Sequence, residues 1–225
     1  MVYHNIIFDL DGTLIDSARL TAAIIDRMLA ERGATQQADR DLIRKMDAVG
    51  GQAMIAAALG THSIDPAREI EEFRAIHGSI AVPTDLPFPG VRETLEVLDA
   101  TGIGMAICSN KPQFLCERIL GELGIARHFR TIVGSTPERA RKPDPQSAML
   151  ALQGLGGTPA DTLYCGDSAI DCATARATGL NAALVAWGYG TGEALALDPQ
   201  TLVIDSMSAL CDAILEPGGL DFESG

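Results

Sequence analysis

The chain has 225 residues, 47% of them hydrophobic, with a formal net charge of −13 and a pI of about 4.6. That length fills one large domain, or a core domain plus a smaller one. So acidic a surface repels nucleic acid and anionic membranes, so neither is expected as a partner, and a small anionic substrate would need a local patch of Lys, Arg or metal.

Residues 5–15 read NIIFDLDGTLI. The run over about residues 3–9 is branched and apolar, as a central buried strand should be. It starts at once, with no basic segment, apolar stretch and cleavage site in series. No apolar run reaches the ~18 residues of a membrane span, so the cytoplasm is the expected location. The pattern over 17–82 is helical: Leu20, Ile24, Met28 and Leu29; Leu42, Ile43 and Met46; residues 53–59; Ile70, Phe73 and Ile76. Asp16 and Ser17 read as the start of the first of these helices. Asp85-Leu-Pro-Phe-Pro-Gly90 reads as a hinge before a helix near 90–100. The next strand-like run begins only at Ile103, whereas a crossover needs about a dozen residues. A helical insert is therefore expected at 16–86, between the two parts of a core domain, 1–15 and 87–215. The insert carries 8 Lys/Arg against 11 Asp/Glu, and the remainder 9 against 19.

Beyond residue 103, apolar runs at 103–108, 131–134, 162–165, 181–185 and 201–204 read as strands. Helical spacing lies between most of them, as in Leu115, Ile119, Leu120 and Leu123, then Ala148, Met149, Ala151 and Leu152. Asp144, between two prolines, reads as an N-cap. This alternation predicts an α/β fold, a doubly wound parallel sheet with helices on both faces. Gly188-Tyr-Gly190-Thr-Gly192 lacks an acidic residue about 20 positions on and reads as a turn. Residues 216–225 read as a flexible tail. The five cysteines show no CxxC spacing and are expected to be reduced, buried thiols, and the four histidines form no metal-ligand pattern.

In open parallel sheets, ligands sit at the carboxyl ends of the strands. Those ends carry Asp9 and Asp11, then Ser109, Asn110 and Lys111, then Lys142, then Asp167 and Asp171. Carboxylates crowded into one crevice need a cation, and an all-oxygen set suits Mg2+. Ser109 and backbone N–H groups past Asp9 can donate to phosphate, and Lys142 can neutralise both phosphate and a neighbouring carboxylate. Asp9 is then placed to attack phosphorus. Asp11 can pass a proton to the leaving oxygen and later take one from water. Gly12 allows a tight turn and a close approach of backbone to phosphate.

The motifs DLDGT (9–13), CSN with Ser109, RKP with Lys142, and GDSAID (166–171) resemble, in order, the four signatures of the haloacid dehalogenase (HAD) superfamily. The resemblance implies a Rossmann-like core with the helical insert 16–86 as its cap. It implies Asp9 as nucleophile and Asp11 as general acid/base, with Ser109 and Lys142 completing the catalytic set. Gly12, Thr13, Ser109, Asn110 and Lys142 are the implied substrate contacts. Asp9, Asp11 (also through its backbone carbonyl), Asp167 and Asp171 are the implied Mg2+ anchors, with Asp171 acting on metal-bound water or on Lys142. The second aspartate favours phosphate-ester hydrolysis or phosphomutase chemistry over dehalogenation. Ser-Asn-Lys (109–111), Arg-Lys-Pro-Asp-Pro (141–145) and Trp187-Gly-Tyr-Gly resemble the phosphoglycolate phosphatase branch, and Arg44 or Lys45 could serve the substrate's carboxylate. The expected enzyme is a phosphoric monoester hydrolase acting on a small phosphorylated metabolite, as a monomer or homodimer. The alternatives are a phosphomutase of the beta-phosphoglucomutase type and a non-catalytic phosphate-binding scaffold.

Overall fold

The computed structural model describes residues 3–215, and the predicted tail, 216–225, lies outside the described residues. Six strands form one parallel sheet: β1 (Asn5–Phe8), β2 (Gly104–Pro112), β3 (Thr131–Ser135), β4 (Thr162–Gly166), β5 (Asn181–Val185) and β6 (Leu202–Ile204). Their order is β3-β2-β1-β4-β5-β6. β1 is central and wholly buried, pairing with β2 on one side and β4 on the other. Its Ile6-Ile7-Phe8 run suits a strand covered on both faces, because no side need be polar. The chain builds outward from β1 in one direction and then resumes at β4 on the opposite side. The strand order therefore reverses between β1 and β4, the point beyond whose carboxyl ends open parallel sheets bind their ligands.

The chain divides into two compact units, one running to Ile15 and resuming at Pro87, the other Asp16–Leu86. The second holds α1 (Ser17–Glu31), α2 (Arg40–Met46), α3 (Gly51–Leu59) and α4 (Pro66–Ser79). Ile24, Ile25, Met28 and Leu29 of α1, Ile55 and Leu59 of α3, and Phe73 and Ile76 of α4 are its buried residues at helical spacing. Asp16 precedes α1 but makes no side-chain cap bond. Its carboxylate instead meets Arg44, 3.3 Å away. Arg44 also approaches Asp41 at 3.6 Å, and Lys45 is exposed.

The first unit contains α5 (Val91–Ala100), α6 (Gln113–Glu122), α7 (Gln146–Leu155), α8 (Ala169–Thr178), α9 (Thr191–Leu197) and α10 (Met207–Leu215). In α5 the residues Val91, Thr94, Leu95 and Leu98 share one buried face. Asp144 stands one residue ahead of the N-cap of α7, where its Oδ1 accepts the N–H of Gln146 at 2.9 Å. The insert leaves and re-enters this unit at adjacent points, since Ile15 bridges to Pro87 and the N–H of Phe88 donates to the carbonyl of Leu14 at 3.0 Å. Among the described residues, no helix is long and apolar enough to cross a membrane.

Candidate active site

Asp9 follows β1, Asp167 follows β4, and Asp171 lies in the first turn of α8. All three are buried, and an oxygen of each lies within 4.8 Å of the others. Lys142, on the loop between β3 and α7, reaches this cluster with its ammonium. Nζ is 2.8 Å from Asp9 Oδ1 and 2.7 Å from Asp171 Oδ1. It also donates towards the carbonyl of Cys108 at 3.0 Å and the hydroxyl of Tyr164 at 3.2 Å. Burial alone would pull the Lys142 ammonium down, but Asp171 and Asp9 overcome it and hold the group well above the ordinary lysine value. Burial pushes the Asp9 carboxyl up to about 7 despite the attraction of Lys142. Three carboxylates against one ammonium leave surplus negative charge in a place that water does not screen. An all-carboxylate donor set with that surplus fits a hard divalent cation such as Mg2+.

The two ends of Asp171 are already taken by protein donors. Its Oδ1 accepts from Lys142 and lies 3.3 Å from the Tyr164 hydroxyl. Its Oδ2 accepts the N–H groups of Asp167 (3.2 Å) and Ser168 (3.1 Å) and the Ser168 hydroxyl (2.6 Å). Burial opposes ionisation here, but Lys142 and these hydrogen bonds hold the carboxyl below its usual range. Ser168 is the N-cap of α8 and forms a capping box with Asp171. Helix initiation at Ser168 therefore also fixes the carboxylate that holds Lys142.

The DLDGT turn supplies the next layer. Gly12 has φ of +76°, a backbone conformation that disfavours side chains. A Cβ there would stand 2.3 Å from Asp167 Oδ2. Its N–H is bonded within the turn, to the carbonyl of Ile15 at 3.0 Å, so the glycine contributes space rather than a donor. Gly12→Ala is expected to displace Asp167 and to lower stability by about 1–2 kcal/mol. Thermal denaturation of the variant measures the effect. Thr13 is fully buried, and its Oγ1 has no hydrogen-bond partner among the described residues. The Thr13 carbonyl accepts the indole N–H of Trp187 at 3.1 Å, and the Trp187 ring packs against Phe88 with centroids 6.0 Å apart.

The Asp11 carboxylate pairs with Lys111. Nζ of Lys111 lies 2.9 Å from Oδ1 and 3.1 Å from Oδ2. The motif reading of 109–111 did not foresee this pairing. Ser109, Asn110 and Lys111 belong to the end of β2, where the register against β3 shifts between Cys108 and Pro112. Ser109 is buried, with its Oγ accepting the Lys111 N–H at 3.2 Å. Asn110 grips the backbone of Lys142 at both ends: its Oδ1 accepts the Lys142 N–H at 2.8 Å and its Nδ2 donates to the Lys142 carbonyl at 3.1 Å. An expected substrate contact thus also clamps the loop that delivers Lys142.

The glycine-rich run after β5 does more than turn the chain. The Tyr189 N–H donates to Asp167 Oδ2 at 2.7 Å, and the Thr191 hydroxyl donates to the Asp167 carbonyl at 3.2 Å. A Cβ on Gly188 would fall 2.3 Å from the Asp167 Cβ, so only glycine lets this loop close on Asp167. The signal for its role is positional: the run follows a strand that ends at the same sheet edge as β1 and β4.

Residues 6–185 match the family model described as haloacid dehalogenase-like hydrolase. The chain belongs to this family. The hydrolase is 34% identical over 218 residues to a phosphoglycolate phosphatase of Pseudomonas putida, a match covering 94% of this chain and 80% of the relative. A phosphoglycolate phosphatase 1 of Pseudomonas aeruginosa is also 34% identical, over 212 residues, with 91% and 77% covered. A crystal structure of a predicted phosphoglycolate phosphatase from Haemophilus somnus superposes with a TM-score of 0.80 at 25% identity, covering 92% of this chain and 96% of that one. With relatives this similar along nearly its whole length, the hydrolase is a phosphoric monoester hydrolase.

Proposed function

We propose that this hydrolase is a Mg2+-dependent phosphatase that cleaves small phosphomonoesters, 2-phosphoglycolate foremost, through an aspartyl phosphate on Asp9. The observation that carries the reading is Lys142, buried and shared between Asp9 and Asp171 at the reversal point of the sheet. A purely structural ion pair would need one carboxylate, whereas here an acidic cluster surrounds a single ammonium. The names of relatives about one-third identical support the choice of substrate.

Asp9 and Asp167 would hold Mg2+, which supplies the positive charge that lets a carboxylate meet a phosphate dianion. Lys142 fixes Asp9 through Oδ1 and is itself fixed by Asp171 and by the clamp of Asn110. Ser109 donates its hydroxyl to a phosphate oxygen. Asp9 attacks phosphorus while the ester oxygen departs with the proton of Asp11. Water then loses a proton to Asp11 and attacks the same phosphorus, breaking the acyl phosphate and restoring Asp9. In the same reading the helical insert, 16–86, is the cap that admits substrate and excludes bulk water.

The test is phosphate release from a panel of small esters with Mg2+ and with a chelator. Release should require the metal and be fastest from 2-phosphoglycolate. Isomerised sugar phosphate without free phosphate would identify a mutase instead. The metal dependence carries a pH signature. A proton competes with Mg2+ for Asp9, whose carboxyl burial pushes up to about 7. Mg2+ affinity measured by calorimetry should therefore fall as pH drops below 7, approaching tenfold per unit, and level off above it.

A further inference from the structure

Two lysines reach the carboxyl edge of the sheet, and they serve different carboxylates. Lys142 has four acceptors within 3.2 Å for its three N–H groups, so it is committed to the nucleophile's side of the site. Lys111 lies instead on Asp11, straddling both oxygens at 2.9 and 3.1 Å. Its side chain is only 11% exposed and that of Asp11 only 13%. The backbone of Lys111 is held on both sides: its N–H donates to Ser109 Oγ at 3.2 Å, and its carbonyl accepts the Cys116 thiol at 3.6 Å. An ammonium so placed has a definite address, one hydrogen bond from the group that serves the ester oxygen.

We infer that Lys111 determines specificity by reading the charge of the leaving group, selecting esters that carry an anion close to the ester oxygen. The inference rests on the phosphatase reading above, in which Asp11 acts on that oxygen. A carboxylate on the carbon next to the ester oxygen lies three bonds from it. When Asp11 reaches the ester oxygen, this carboxylate enters the reach of the same Lys111 ammonium. A neutral leaving group offers Lys111 nothing, and a cationic one is repelled. The substrate class is the phosphate ester of a small 2-hydroxy acid. No such cation stands beside the acid by necessity of phosphate binding, since the metal site, Lys142 and Ser109 already account for the phosphoryl group.

Three esters of nearly equal size test this: 2-phosphoglycolate, ethyl phosphate and 2-aminoethyl phosphate, whose leaving groups are anionic, neutral and cationic. For the wild type with Mg2+, kcat/KM should fall in that order, with at least about thirtyfold between the first two. Lys111→Met should shrink that interval to within about threefold and raise the relative use of 2-aminoethyl phosphate. Lys111→Arg should keep the order, and because it retains the charge it serves if the Met variant folds poorly. An equal loss on all three esters in Lys111→Met would overturn the inference, reducing Lys111 to a support for Asp11. A wild type that cleaves all three equally well would also overturn it while leaving the phosphatase reading intact. Release from none of them would remove both.

Discussion

Asp9→Asn is expected to lower kcat by at least about 10^4-fold, the scale seen when a covalent nucleophile is removed, without unfolding the protein. The amide is isosteric but cannot form an acyl phosphate. The direction of its effect on stability follows from the environment. Asp9 is 7% exposed, and burial has raised its carboxyl from 3.8 to about 7. The folded protein therefore holds a proton between those values that the unfolded chain has released. The stability contributed by that bound proton is present in full below about 4 and is lost as pH rises through 7. A neutral amide has no such dependence. In metal-free buffer Asp9→Asn should melt close to the wild type at pH 4 and above it at pH 8. A variant that melts lower at pH 8 would mean that Asp9 is ionised at no cost, and the electrostatic description of the site would be wrong.

Lys142→Met is expected to damage both folding and turnover. Its ammonium is 4% exposed and is the cation shared by Asp9 and Asp171, which are themselves 10% and 2% exposed at the side chain. Removing one member of a buried ion pair leaves the others uncompensated, an effect of about 3–5 kcal/mol. For a protein of this length that lowers Tm by on the order of 10 °C in metal-free buffer. Turnover should fall by about 10^3-fold with saturating Mg2+, because Asp9 loses the group that orients Oδ1. Added Mg2+ should restore part of the lost Tm, since the cation replaces charge in the cluster, but it should not restore kcat. Full recovery of turnover by Mg2+ would show that Lys142 is only a counter-ion.

The fold was legible because apolar runs and helical spacing alternate cleanly after residue 103. Each run from 103–108 to 201–204 falls on a strand of the sheet. The candidate site was legible as a list because the polar residues at strand ends share one edge of a parallel sheet, and Asp9, Lys142, Asp167 and Asp171 do converge. Three features escaped a reading of strand ends alone. The pairing of Lys111, a residue read at the end of the second strand, with Asp11 is the first: Lys111 lies where β2 loses its register against β3, so the two-residue alternation that assigns faces fails there. Tyr164 lies in a strand buried along its whole length, so its hydroxyl beneath Lys142 leaves no polar signature at the surface of the pattern. The role of Gly188 and Tyr189 depends on how closely a loop after β5 approaches Asp167 after β4, a tertiary distance that no local spacing encodes. Asp171 shows a different limit. The sequence placed it with Asp167 beyond the end of β4, but only the structure reveals that its two oxygens are filled by Lys142, Ser168 and backbone N–H groups.

The most direct test of the account is to catch the phosphoryl group on the protein. Wild type with Mg2+ and labelled 2-phosphoglycolate, quenched in acid within one turnover and reduced with borohydride, should yield peptide carrying homoserine at position 9, and Asp9→Asn should yield none. Phosphate appearing with no labelled protein at any time point, or homoserine at a different aspartate, would contradict it.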